Sequence, residues 1–144
     1  MRYLWQIILI GIMCITSVFD IKTKRIPFVC MLSLFVYALI SILFFKYEGF
    51  EWTDVGLSVI PGLFLVALSF ITEGKVGMGD GIVTAALGPA LGLEKSIYVL
   101  MGALILNSLL SGILLLFKKA GKNTRIPFVP FLTTALGVVT FVYI

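Results

Sequence analysis

The sequence predicts an all-α membrane protein: a polytopic bundle of about six transmembrane helices, the fourth short and preceded by a Gly-Met-Gly-Asp loop at residues 77–80. Three observations carry that expectation. The 144 residues are 60% hydrophobic and only 12% charged, with a mean hydropathy of +1.16, whereas soluble domains carry about 25% charged residues. Cutting the chain at its charged residues leaves uncharged runs at 3–19, 26–45, 55–72, 81–93, 96–117 and 126–144. The cations cluster at the ends of these runs and not along an amphipathic face. That is the pattern of loops anchored at a lipid surface, so the net charge of +4 points to membrane lipid and not to nucleic acid.

Five of the runs have 17 to 22 residues, and about 20 helical residues cross a hydrocarbon core of roughly 30 Å. The first, behind Arg2, has the outline of a signal peptide but lacks a small-x-small cleavage site, and Met13 before Cys14 does not fit a lipoprotein cleavage box. It is read as a mature span. The fourth run reaches only about 20 Å and contains Gly88, Pro89 and Gly92. It crosses only if residues 76–80 join it, which sets Asp80 at a membrane boundary inside protein. One integral-membrane domain over 1–144 is expected.

With six spans, the connections after the first, third and fifth share one side. They hold Lys22, Lys24, Arg25, Lys75, Lys118, Lys119, Lys122 and Arg125, against Arg2, Lys46 and Lys95 on the other. The positive-inside bias places the former in the cytoplasm and both termini outside. The pentapeptide Arg25-Ile26-Pro27-Phe28-Val29 recurs at Arg125-Ile126-Pro127-Phe128-Val129, each time where a basic loop meets a span. Proline suits a first helical turn and the cation snorkels to the headgroups; a second reading is that both helix starts border a shared site.

The absence of histidine removes Ser-His-Asp and Cys-His nucleophiles, HExxH zinc sites and histidine proton relays. Cys14 and Cys30 lie in apolar runs without metal-ligand spacing and read as small buried hydrophobes, so neither a metal nor another cofactor is expected. Carboxylates remain. Glu48, Glu51 and Asp54 belong to a solvated outer loop, and Glu94 beside Lys95 reads the same way. Glu73 sits on the cytoplasmic side, as a plain loop charge or as a contact for a basic substrate segment.

Asp20 ends the first span directly before the basic loop, and Asp80 follows Gly77-Met78-Gly79 at the same predicted edge. Two carboxylates packed within a few Å cannot both ionise, and they share a proton near neutral pH. In that state one takes a proton from an attacking water while the other hydrogen-bonds the scissile carbonyl. Gly77 and Gly79 would permit an irregular turn and close approach of a substrate backbone. The plainer alternatives are that Asp20 caps its helix or pairs with Arg25, and that Asp80 is the N-cap of the fourth helix. Gly56, Pro61 and Gly62, with Gly102, Asn107, Ser108, Ser111 and Gly112, read as helix-packing positions.

Asp20 with Lys22, Lys24, Arg25, Ile26 and Pro27, then Gly77-Met78-Gly79-Asp80, an Ala-Ala-Leu-Gly stretch, and Pro127-Phe128-Val129-Pro130 together resemble the type IV prepilin peptidases, the bacterial GxGD-type aspartyl proteases. The resemblance runs in order along nearly the whole chain. It implies a catalytic pair of Asp20 and Asp80, site shaping by Gly77, Gly79, Lys24, Arg25, Pro27 and Glu73, and no cofactor. It also implies a substrate, the short basic leader of a prepilin-like precursor, cut at the cytoplasmic face of the bacterial inner membrane. Larger members carry an N-terminal segment with paired cysteines and a methyltransferase activity. This chain resembles the short, peptidase-only form of Tad and Flp pilus systems, so no methyl transfer is expected. It departs from the family in having Ile82 where lysine is common and Phe28 where asparagine is common, with Lys75 or Lys24 as stand-ins for the missing cation.

Two other classes use the same aspartates differently. A small proton- or cation-coupled transporter would bind its ion at one of them, although a carrier's carboxylate belongs near the midplane. A secretion-system assembly subunit would use them only as caps and would tolerate asparagine at both.

Overall fold

The computed structural model describes residues 2–24, 26–45, 51–73, 77–117 and 126–142. Seven helical segments make up the described residues, and no strand occurs among them: α1 (Arg2–Thr23), α2 (Phe28–Phe45), α3 (Trp52–Ser58), α4 (Ile60–Ile71), α5 (Met78–Leu91), α6 (Leu93–Leu116) and α7 (Val129–Val142). They form six passes, because α3 and α4 are one apolar stretch opened at Val59. Pro61 has no N–H to give the carbonyl of Leu57, so the ladder breaks there. Val59 itself keeps right-handed helical geometry (φ −79°, ψ −22°).

Three stretches are long and apolar enough to cross a membrane: Leu4–Thr23, Trp52–Ile71 and Leu93–Leu116. The runs at 26–45 and 126–144 give helices that begin two and three residues inside them, α2 of 18 residues from Phe28 and α7 from Val129. Proline is the reason. The carbonyl of Pro27 receives the N–H groups of Cys30 and Met31 (3.0 and 3.3 Å), so α2 starts just after it. The start of α7 is held back to Val129 by Pro127 and Pro130. Residues 77–80 do not form a loop ahead of the fourth pass: Gly77 is the N-cap of α5, and Met78, Gly79 and Asp80 are its first turn. Gly92 (φ 83°) then turns the chain sharply into α6, a backbone conformation that disfavours any side chain.

The bundle is organised around α5, which packs on α2, α4, α3 and α6, while α7 packs between α1 and α6. Leu9, Met13, Leu34, Val83, Leu87, Val99, Ala103, Leu132 and Leu136 form one core between them. On α1 the buried positions Leu9, Met13, Thr16 and Asp20 recur at helical spacing, so the core-facing stripe ends on a carboxylate. Outward faces carry exposed Ile7, Ile15, Val18, Leu104, Ile105 and Leu109, as a lipid-facing surface requires. With its long apolar helices, this is a membrane protein.

The closest helix contact is between α5 and the α3–α4 pass, which run antiparallel. A Cβ on Gly62 would collide with the backbone of Ala85, one on Gly88 with the Ser58 carbonyl, and one on Gly81 would come within 2.8 Å of the Val66 nitrogen. Lipid gives apolar helices no hydrophobic incentive to pair, so small residues that let backbones touch supply the attraction. The packing role expected of Gly62 therefore holds, and Gly102 meets Ala135 at 3.2 Å, measured from its added Cβ. Gly56 and Gly112 instead face open space. Cys30 is buried, but Cys14 is exposed, contrary to expectation, because it follows Met13 off the buried stripe of α1.

Replacing Gly88 with alanine should destabilise the bundle by about 1–3 kcal/mol, the range for overpacking, because the new methyl meets backbone that cannot yield. Gly112→Ala, in open space within α6, should leave stability unchanged or raise it by about 0.5–1 kcal/mol. Thermal unfolding of both variants in the same detergent checks the contrast.

Candidate active site

Asp20 lies one turn from the end of α1 and is 5% exposed. Its Oδ2 accepts a hydrogen bond of 3.1 Å from the main-chain N–H of Val129, the first residue of α7. The aspartate therefore does cap a helix, but the last one in the chain and not its own. Arg25, the expected partner, lies outside the described residues, as do Lys75 and Arg125. Around Asp20 the buried Thr16 hydroxyl donates to the Ile12 carbonyl (2.9 Å). Thr133 of α7 donates to the Val129 carbonyl at 2.8 Å and approaches the Met13 carbonyl of α1 at 3.3 Å.

Asp80 is half-buried, in the third position of α5 rather than at its N-cap. Its N–H donates to the Gly77 carbonyl (3.1 Å), and its carbonyl accepts the buried Thr84 hydroxyl (2.8 Å). Its carboxylate lies over Gly77, where an added Cβ would sit 2.6 Å from Oδ2. Gly77 has φ −65° and ψ 120°, ordinary for any residue. The sequence suggested conformational freedom as the reason for this glycine; the structure gives space for the neighbouring carboxylate instead. Gly79 has its own constraint, since a Cβ there would meet Ile26 Cδ1 at 3.0 Å and Met31 Cε at 3.5 Å.

The two aspartates, sixty positions apart in sequence, are thus gathered at one end of the bundle. The α2 helix packs on both α1, which carries Asp20, and α5, which carries Asp80. Both copies of the repeated pentapeptide border this place: Ile26 touches Gly79, and Val129 holds Asp20. Their surroundings differ, however. Phe28 and Val29 are 76% and 74% exposed, whereas Phe128 and Val129 are 7% and 0%.

Of the other expected site residues, Pro27 is half-buried at the head of α2, and Lys24 and Glu73 are exposed. Lys24 and Glu73 share one unusual feature. Both have φ 52°, a left-handed conformation that non-glycine residues take at a cost of about 1–2 kcal/mol. Each follows the end of a helix, and the Lys24 N–H returns to the Asp20 carbonyl at 2.8 Å. The donor at Val129 was missed from the sequence. A signal for it exists in the Pro-x-x-Pro spacing of 127 and 130, which leaves two N–H groups between residues that have none.

A bundle of long apolar helices with a buried and a half-buried carboxylate from distant segments defines a helical membrane protein. The profile of the type IV leader peptidase family matches residues 7–116, a stretch that contains both aspartates and all of α5. The chain belongs to that family, and its class of activity is that of a peptidase. Comparison with curated proteins and with solved structures gave no match.

Gly77→Ala should leave the fold intact, because Gly77 is exposed in a permissive conformation, yet displace the Asp80 carboxylate. Peptidase turnover is expected to fall by about 10- to 100-fold, the scale of a 1 Å misplacement, with an unchanged melting temperature. Turnover equal to wild type would show that the carboxylate clears the methyl without consequence.

Proposed function

We propose that this protein is an aspartyl endopeptidase of the bacterial inner membrane that removes the short basic leader of type IV prepilin-like precursors at the cytoplasmic face. The observation that carries the reading is the placement of two carboxylates at helix ends, Asp20 near the end of α1 and Asp80 in the first turn of α5. Membership of the type IV leader peptidase family supports it. A pair sharing one proton has both functions that peptide hydrolysis needs. The ionised carboxylate takes a proton from water as its oxygen attacks the scissile carbonyl carbon. The protonated carboxyl hydrogen-bonds the carbonyl oxygen and stabilises the developing charge.

Exposed Glu73, at the same end of the molecule, is a contact for the basic leader, and Gly77 and Gly79 keep the approach to Asp80 open. Lys24 and Pro27 complete the surroundings of the pair, with Lys24 placing positive charge at the membrane surface. The apolar helix of the precursor docks laterally in the lipid. A carrier with a midplane carboxylate fits less well, since Asp20 is near the end of α1 and Asp80 near the start of α5.

Co-expression with a prepilin in a peptidase-deficient bacterium provides the test. Wild type should shorten the precursor on an immunoblot, while Asp20→Asn and Asp80→Asn should each abolish shortening at equal protein levels. If both variants still trim the precursor, the aspartates are structural caps and the mechanism is wrong.

A further inference from the structure

The two aspartates are not equivalent in their hydrogen bonding. The Asp20 carboxylate receives the Val129 N–H at 3.1 Å. Among the described residues no donor reaches the carboxylate of Asp80. The difference originates in the sequence around the start of α7. A helix begins with several N–H groups that have no partner inside it. Here Pro127 and Pro130 have no N–H at all, and those of Phe131 and Leu132 are bonded to the Phe128 carbonyl at 3.0 and 3.1 Å. Phe128 and Val129 hold the donors that are left, both residues are buried, and the Val129 N–H is bonded to Asp20. Main-chain N–H groups at a helix N-terminus favour the anionic form of a carboxylate, by hydrogen bonding and by the helix dipole together.

We propose that the main-chain N–H of Val129 is a positioning donor that keeps Asp20 ionised, so that Asp20 is the base and Asp80 holds the shared proton. The inference rests on the aspartyl peptidase reading and assigns its two roles. Asp20 removes a proton from water, whose oxygen bonds to the carbonyl carbon, while the Asp80 proton passes to the carbonyl oxygen to give a tetrahedral diol. Asp20 then returns its proton to the amide nitrogen as the C–N bond breaks. Asp80 recovers a proton from the diol, which becomes the new carboxyl terminus, and both carboxyl groups end as they began.

The test removes one N–H and weakens one acceptor, the Phe128 carbonyl, whose bonds to Phe131 and Leu132 are monitored by the melting temperature. Incorporating the α-hydroxy analogue of valine at position 129 by nonsense suppression in a cell-free membrane system converts that amide to an ester. Expected is a fall in kcat of about 10- to 100-fold, the scale of one hydrogen bond to a charged group, with KM unchanged. The acid limb of the pH–rate profile should move to higher pH, because the base loses a donor that favoured its anion. Unchanged kcat and an unchanged acid limb overturn the proposal, as does a lowered melting temperature with normal kcat, which would give the N–H a role in folding alone. Infrared difference spectra against Asp20→Asn isolate the carboxylate band of residue 20 without any substrate. Its titration should shift upward in the ester, and identical titration overturns the proposal. That readout stands even if wild type trims no prepilin, an outcome that would count against the peptidase reading separately.

Discussion

In hydrocarbon, water is not available to satisfy a main-chain N–H, and each such group needs a partner within the protein. At the start of α7 that requirement is met by Asp20, 109 residues away in sequence. One hydrogen bond thereby fastens the last helix to the first, and α7 then occupies the space between α1 and α6. Thr133 repeats the attachment one turn further along α7 through the Met13 carbonyl. The placement of Asp20, the closure of the core and the shape of the candidate site all follow from this contact. A carboxylate is suited to it because an anion at a helix N-terminus gains from the helix dipole as well as from the hydrogen bond.

On the other side, the position of Asp80 depends on backbone contact. Asp80 is carried by the helix most surrounded by others, and Gly81 and Gly88 allow that helix to touch the backbone of α4 and α3. Asp80 is therefore set by main-chain packing within the first turn of α5, with Gly77 giving its carboxylate room. The two halves of the site are supported by different physics. A polar contact in a dry interior fixes Asp20, and glycine-mediated packing fixes Asp80.

Much of this was legible in the sequence. The apolar runs gave the helical passes, the short fourth run predicted a compact α5, and the location of Asp20 and Asp80 at the same end followed from span counting. What was not legible depends on contacts between distant segments. No local pattern distinguishes Gly62, which meets Ala85, from Gly56, which meets nothing, because the difference lies in where α5 passes. Cys14 follows a buried methionine and is exposed only because of the rotation of α1. Residues 77–80 read as a loop because two glycines discourage a helix, yet the capping geometry at Gly77 starts α5 there. The repeated pentapeptide suggested two equivalent helix starts, but Phe28 is turned outward and Phe128 inward.

The stripe of buried residues on α1 has a further consequence for how such a chain can diverge. From Leu9 through Met13 and Thr16 to Asp20 the spacing keeps one angular face toward the core. Each added or deleted residue within this interval would rotate everything beyond it by about 100°. An insertion of one residue would carry the carboxylate from the Val129 N–H to the lipid, whatever its neighbours were. Side chains on the outer face of α1 are free to drift among apolar types, while the number of residues between Leu9 and Asp20 is not. In lineages descended from this sequence, α1 should therefore record its history in substitutions and almost never in gaps.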